Sequence, residues 1–233
     1  MSYGIVVYTA DGNLAVSSQA VALHYLGQPV FTGSVFESGV DGSFARFTIT
    51  SPNGAPLPVF RMTPGDGNWA EAPVVRLVSG TTYEILVRAS VTPQVYCFGR
   101  LAAATAPAEA WGARVLGASA EVQWDTTRKP LLVHSFVTLP AVSGLPTGGV
   151  WDSTAATLPT YPGVVVAAVG GAGGGYQFGS RTVNVAMRLS SNAIDRVVGS
   201  RWTSTGGSPD SAPLLQGGLG PAPTLIIDLT PYL

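Results

Sequence analysis

The sequence predicts an all-β protein made of two tandem, duplicated, antiparallel β-sandwich-like domains. Three observations carry that prediction. Apolar and polar residues alternate at a period of two along much of the chain. Turn dipeptides punctuate the alternating runs. The pattern of residues 3–25 returns at 111–133.

The strands follow from the alternation. Residues 44–50 read Phe-Ala-Arg-Phe-Thr-Ile-Thr, and 83–91 read Tyr-Glu-Ile-Leu-Val-Arg-Ala-Ser-Val. In 181–190, Val183, Val185 and Met187 share one phase, and Thr182, Asn184 and Arg188 the other. Such patterns mark strands with one buried face. Asp11-Gly12, Asp41-Gly42, Asn53-Gly54 and Asp66-Gly67-Asn68 are turn signals, because these residues tolerate positive φ. The Pro-rich stretch 52–58 reads as a loop or edge, since proline cannot donate to a ladder. The Ala-rich stretch 101–106 is interrupted by Pro107, and convincing helices are scarce. Residues 170–175 are glycine-rich and read as a flexible hairpin tip between strands 164–169 and 176–180. A phosphate loop there would need a following lysine, which is absent.

The repeat sets the domain organisation. Tyr3 aligns with Trp111, and a constant spacing of 108 residues then matches Gly4 with Gly112, Val7 with Val115, Leu14 with Val122, Val16 with Trp124 and Leu23 with Leu131. The glycine after each opening aromatic removes a Cβ and lets a neighbour approach closely. A second match, at a spacing of 100, sets Thr82, Arg88, Ser90 and Gly99 against Thr182, Arg188, Ser190 and Gly199. The reading is a domain at 1–101, an Ala/Pro linker at 102–110 and a second domain at 111–233, each with seven or eight short strands.

Composition narrows the function. Of 233 residues only 11% are charged, the net charge is −1, and Lys129 is the sole lysine; a typical soluble chain is about 25% charged. Nucleic-acid binding needs clustered cations, and disorder needs low hydrophobicity, whereas this chain is 46% hydrophobic. The most apolar run, 163–175, is too short for a membrane-spanning helix of roughly 20 residues. The single cysteine, Cys97, cannot form an internal disulfide. The opening Met1-Ser2-Tyr3-Gly4 lacks the basic and apolar regions of a secretory signal.

Chemistry-bearing residues are few. His24 and His134 are the only histidines, both lie in apolar strand patterns, and no zinc or calcium ligand spacing is present. No G-x-S-x-G elbow supports a nucleophilic serine. Cys97 lies in the apolar run 95–98 and reads as buried and inert. No catalytic residue, cofactor or metal site is therefore expected. Trp69, Trp151 and Trp202 lie in Gly-flanked or polar surroundings and are the candidate contact residues for a ligand or partner, with Gly173, Gly174 and Tyr176 of the glycine-rich segment. Trp111 and Trp124 sit at apolar strand positions and read as core.

The opening Met-Ser-Tyr-Gly, the apolar strand after it and Ala10-Asp11-Gly12-Asn13-Leu14 resemble the start of small tail proteins of long-tailed, siphovirus-like bacteriophages and prophages. The block 118–130 (Ala-Ser-Ala-Glu-Val-Gln-Trp-Asp-Thr-Thr-Arg-Lys-Pro) is similar to a recurring Gly-x-Val-x-Phe-Asp-Ser stretch of those proteins. Ser17 stands where an Asp is expected, and Ala120 where Gly is common. The resemblance implies a non-enzymatic minor tail protein of the tail tip or baseplate, made in the host bacterial cytoplasm and carried in the virion. Its implied partners are other tail proteins in a homo-oligomer or symmetric assembly, and a host surface glycan or pilus. Nucleic acid and membrane insertion are not expected. A receptor- or carbohydrate-binding module is the alternative reading, and a β-sandwich hydrolase the third.

Overall fold

The run Val95-Tyr96-Cys97-Phe98 shows no polar alternation because its strand has two interiors. The computed structural model describes residues 6–8, 14–17, 22–36, 43–102, 106, 108, 110–117, 122–143, 149–166, 171–176, 179–203 and 218–233. In it, Tyr96 and Phe98 of β10 (Gln94–Gly99) face one core with Val59, Ile227 and Leu229. Val95 and Cys97 face a second core with Phe60, Val164 and Ile226. The period of two persists in direction while polarity is lost, as expected for a strand buried on both faces.

The first core fills a barrel. β3 (His24–Gly27), β10, β6 (Leu57–Arg61), β16 (Pro162–Val165), β21 (Ala222–Asp228) and β13 (Val133–Leu139) are hydrogen-bonded in that order, all antiparallel. The two edges of this sheet then meet. Tyr25 N donates to Lys129 O (2.9 Å) and Leu131 N to Leu23 O (2.7 Å), around a bridge between His24 and Pro130. Segment 129–131 runs directly into β13, so the sheet closes. A 3-10 turn, Thr230–Tyr232, places Tyr232 against the rings of Tyr25 and Phe98, at 5.2 and 4.9 Å between centroids. Tyr232 Oη accepts from Leu132 N and donates to Pro130 O.

A second layer covers part of the barrel. In the first half it holds β4 (Val30–Phe36), β5 (Ser43–Thr50), β9 (Thr82–Val87) and β8 (Val74–Ser79), in that order. In the second half it holds β15 (Val150–Ala155), β19 (Ala193–Thr203), β18 (Gly179–Leu189) and β17 (Gly171–Tyr176). The short β7 (Trp69–Glu71) joins them. On one side it pairs with β18, Ala70 opposite Met187. On the other, Glu71 N donates to Arg88 O and Ser90 N to Trp69 O, at 2.8 and 3.0 Å. The second core lies between the layers, with Phe47, Ile85, Val87, Met187, Leu189 and Ile194 facing the barrel wall.

The fold is thus all-β, antiparallel and sandwich-like in each half, as the sequence predicts. In the barrel the strand order of one half mirrors that of the other, β3–β10–β6 against β13–β21–β16. β3, β6 and β10 correspond to β13, β16 and β21, and β5–β9–β8 to β15–β19–β18. Cross-strand ion pairs repeat as well: Arg76 with Glu84 in the first half, Arg188 with Asp195 in the second. The 108-residue spacing is visible in the hairpins. β1 (Val6–Tyr8) and β2 (Leu14–Ser17) pair Val6–Ser17, Val7–Val16 and Tyr8–Leu14. β11 (Arg114–Leu116) and β12 (Val122–Asp125) pair Arg114–Asp125, Val115–Trp124 and Leu116–Val122, with the irregularity at the same step. Leu23 hydrogen-bonds Leu131, its own counterpart, across the barrel seam. Gly112 serves as the repeat implies: a Cβ there would come within 2.4 Å of Thr127 Cγ2.

Several finer expectations are corrected. The division at 102–110 marks the middle of the repeat rather than a gap between closed bodies, because β16 pairs with β6, and β18 with β7, across it. Ala106 O accepts from Arg128, and Ala108 N donates to Thr127 Oγ1, so this stretch is tied to the turn that follows β12. The match at a spacing of 100 is coincidental: Gly99 ends a barrel strand, while Gly199 lies in the outer layer. Pro58 lies inside β6 and not in a loop. The ladder to β16 reaches only Phe60 and Arg61, so proline's missing donor costs little there. Residues 171–176, four of them glycine, form strand β17 paired along β18, with no tip at that point. A further two-stranded ladder joins β14 (Val142–Ser143) to β20 (Gly218–Leu219).

A shared interior makes a testable demand. A Cβ at Gly163, inside the barrel, would approach Val59 Cγ1 to 2.6 Å and Leu229 Cδ1 to 2.9 Å. Gly163→Ala is expected to cost about 1–3 kcal/mol by overpacking, measured as a lower urea midpoint. The loss should appear in one cooperative transition, and two separated transitions would contradict a core common to both halves.

Candidate functional site

The turn at 63–68 builds one side of a cleft. Gly65 and Gly67 adopt φ of 82° and 78°, a left-handed backbone that side chains disfavour, and Asp66 stands between them. Asp66 Oδ1 accepts from Asn68 N, and Oδ2 from Asn68 Nδ2, both at 2.8 Å. Ser90 Oγ donates to Asn68 Oδ1 (3.2 Å) and accepts from Trp69 N (3.0 Å). Gly65 N reaches Leu189 O in the second half (3.0 Å), which anchors the turn. Across the cleft, Arg61 Nη1 donates to Gln94 Oε1 at 3.0 Å, and its guanidinium lies 5.2 Å from the centre of the Tyr161 ring. Phe60, Met62 and Ala70, members of the core between the layers, line the cleft, whose volume is about 210 Å³. A second groove of about 310 Å³, lined by Ser34, Ser43 and Ser90, shares Ala89, Val91 and Thr92 with it.

The candidate contact residues separate. Trp69 lines the cleft and is half-buried. Trp151 does not serve as a surface platform: it is 8% exposed and packs in the core between the layers. Its polar neighbour misleads the reading, because Asp152 makes a two-point pair with the fully buried Arg196, at 2.6 and 2.9 Å. Gly173, Gly174 and Tyr176 lie in β17 and Trp202 in β19; their side chains fall outside the described residues. Trp111, read as core, is 89% exposed, and Trp124 is half-buried. Arg61, Asn68, Ser90 and Gln94 were missed as site residues. Asp66-Gly67-Asn68 gives a sequence signal, read only as a turn, while Arg61 and Gln94 meet through strand pairing alone.

The reactive side chains are placed apart. Cys97 is buried, and burial pushes its thiol up to about 12, where it is unreactive. His134 is exposed on β13. His24 is fully buried beneath the β11–β12 hairpin, and its Nε2 accepts from Asp125 N at 3.2 Å. Among the described residues no group of three or more His, Cys, Asp or Glu is placed to hold a metal ion. No family model, curated protein or solved structure matches the chain.

His24 makes stability depend on pH. Burial pushes the imidazole below its ordinary value of 6.5; the Asp125 charge opposes this, and Arg128 and Arg114 reinforce it. Asp125 is itself held below the usual carboxylate range. Burial would raise it, but hydrogen bonds from Thr127 and Arg114 prevail. The unfolded chain takes up its histidine proton near 6.5 and the folded chain only at lower pH. This contribution is therefore full above about 6.5 and is lost as pH falls below it. Urea midpoints between pH 8 and 5 should decline on the acid side, and His24→Gln should flatten that part of the decline. An unchanged slope would clear His24 of the effect.

Proposed function

We propose that the chain is a non-enzymatic structural component of a bacteriophage tail tip or baseplate, made in the host bacterial cytoplasm and working among other tail proteins in the assembled particle. The observation that carries this reading is the state of the outer layer's edges. Among the described residues no strand pairs with the outer edge of β4, which contains no charged residue and exposes Val30, Phe31 and Phe36, the last to 70%. β8 exposes Val74, Leu77 and Val78, and its single charge, Arg76, is paired with Glu84. Independent soluble proteins guard such edges with charge, above all lysine. The one lysine here, Lys129, is engaged by Pro231 O at the barrel. Edges of this kind suit a chain whose neighbours cover them.

The tail setting draws on the resemblance of the blocks 1–14 and 118–130, which include β1 and β12. A non-enzymatic role accords with the positions of His24, Cys97 and His134, since the thiol is sealed and one imidazole is committed to a backbone N–H.

The test is incorporation. Phe36→Lys should leave folding stability within about 0.5 kcal/mol, as for an exposed position, yet prevent incorporation into particles assembled with the variant as the only copy. Wild-type incorporation of the variant, or absence of the wild-type chain from purified particles, would sink the reading.

A further inference from the structure

We propose that the cleft beside Trp69 is a saccharide-binding site, taking one unit of a neutral oligosaccharide whose next unit extends into the adjoining serine-lined groove. The inference is independent of the assembly role.

Four features converge. The first is an aromatic among apolar lining residues, the half-buried Trp69 with Met62 and Ala70, which suits the C–H face of a pyranose. The second is the density of polar groups that offer both donors and acceptors around that lining: Asp66, Asn68, Arg61 and Gln94 at the cleft, and serine hydroxyls beyond it. These groups are pre-positioned by one another, through Asp66–Asn68–Ser90 on one side and Arg61–Gln94 on the other. Little ordering cost then falls on binding.

The third feature is charge. The cleft holds one cation and one anion. Both oxygens of Asp66 are occupied by Asn68, and the Arg61 guanidinium is held near Tyr161. No unbalanced charge remains to select an anionic or cationic ligand. The fourth is the backbone. A peptide would be captured by strand addition, but here Ser90 N pairs with Trp69 O and Glu71 N with Arg88 O. Recognition is left to side chains. Volume then sets the mode: small-molecule sites usually span about 300–1,000 Å³, and the cleft, at about 210 Å³, is smaller. It fits a single unit of a chain, with the contiguous groove of about 310 Å³ receiving the next.

The experiment is isothermal titration calorimetry of the full chain with neutral oligomers of glucose, galactose, mannose and N-acetylglucosamine. At least one series should bind, more tightly as a second unit is added. Trp69→Ala should weaken it ten-fold or more. Gln94→Ala, an exposed rim change that leaves the core intact, should also weaken it and decides the matter if Trp69→Ala fails to fold. Trp111→Ala, remote and exposed, should bind as wild type. Absence of binding across the panel at millimolar oligomer, or binding insensitive to both cleft variants, overturns the proposal. Neither outcome touches incorporation into particles, so failure here is separable from failure of the assembly reading.

Discussion

Every β-strand brings a row of backbone N–H and C=O groups to each side, and an uncharged strand has no other means of protecting an open edge. In this chain the two halves solve the problem for each other. β6 and β16 meet edge to edge in the barrel wall, β7 and β18 meet in the outer layer, and residues 23–25 meet 129–131 at the seam. The barrel, the shared core and the cleft all follow from these three junctions. They also give the 11% charge a physical meaning. Apolar strands such as β10 and β16 lie inside a sheet with both neighbours supplied, so they need no charged guards. β4 has no charged guard and β8 only Arg76, paired with Glu84, where the described chain supplies no neighbour.

The two repeats are alike in register and unequal in chemistry. In the second hairpin Arg114 lies opposite Asp125 and hydrogen-bonds its carboxylate, which also accepts from Thr127. In the first hairpin the same positions are Val6 and Ser17. Where the carboxylate is lost, its cation is lost too, as a half-buried ion pair requires, since a lone charge left at such a site is costly. A second inequality lies at the seam. Ala22 N donates to Gln123 O at 2.8 Å, whereas Pro130, at the matching position, has no N–H to give. The β11–β12 hairpin is therefore fastened to the first half by a bond that its counterpart cannot copy.

These details show which parts of the fold a sequence can disclose. Local register is legible: the aligned residues of the hairpins are the residues that pair, because a shift of one residue would turn each side chain to the opposite face. The all-β class is legible for the same reason. Long-range pairing is not. Nothing in residues 57–61 or 162–165 announces that they will meet, and Pro58 argues against a strand until one sees how short the ladder on that side is. Exposure is read poorly wherever polar neighbours have private partners. Trp151 is buried although Asp152 follows it, because Arg196 is buried there too. Trp111 is exposed although it opens an apolar strand, because the repeat fixes its place in the hairpin and not its cover. The cleft was half legible: Asp66-Gly67-Asn68-Trp69 is contiguous in sequence, but Arg61 and Gln94 are brought together only by the pairing of β6 with β10.

The correspondence of the two halves also bears on how many sites a chain can carry. The turn and β7 that build the cleft lie between β6 and β8. The corresponding stretch of the second half, between β16 and β18, contains β17, whose sequence is Gly-Ala-Gly-Gly-Gly-Tyr. A strand of glycines supplies backbone for pairing along β18 and almost no side chains with which to line a pocket. Residues 166–178, between β16 and β18, contain no carboxylate and no indole to match Asp66 and Trp69. The likeness of the two halves does not extend to the cleft: between β6 and β8 lies a polar turn with an aromatic beside it, and between β16 and β18 a strand paired along β18. Among the described residues the Trp69 cleft has no counterpart in the second half, so multivalency of the saccharide site proposed above rests on the number of chains assembled.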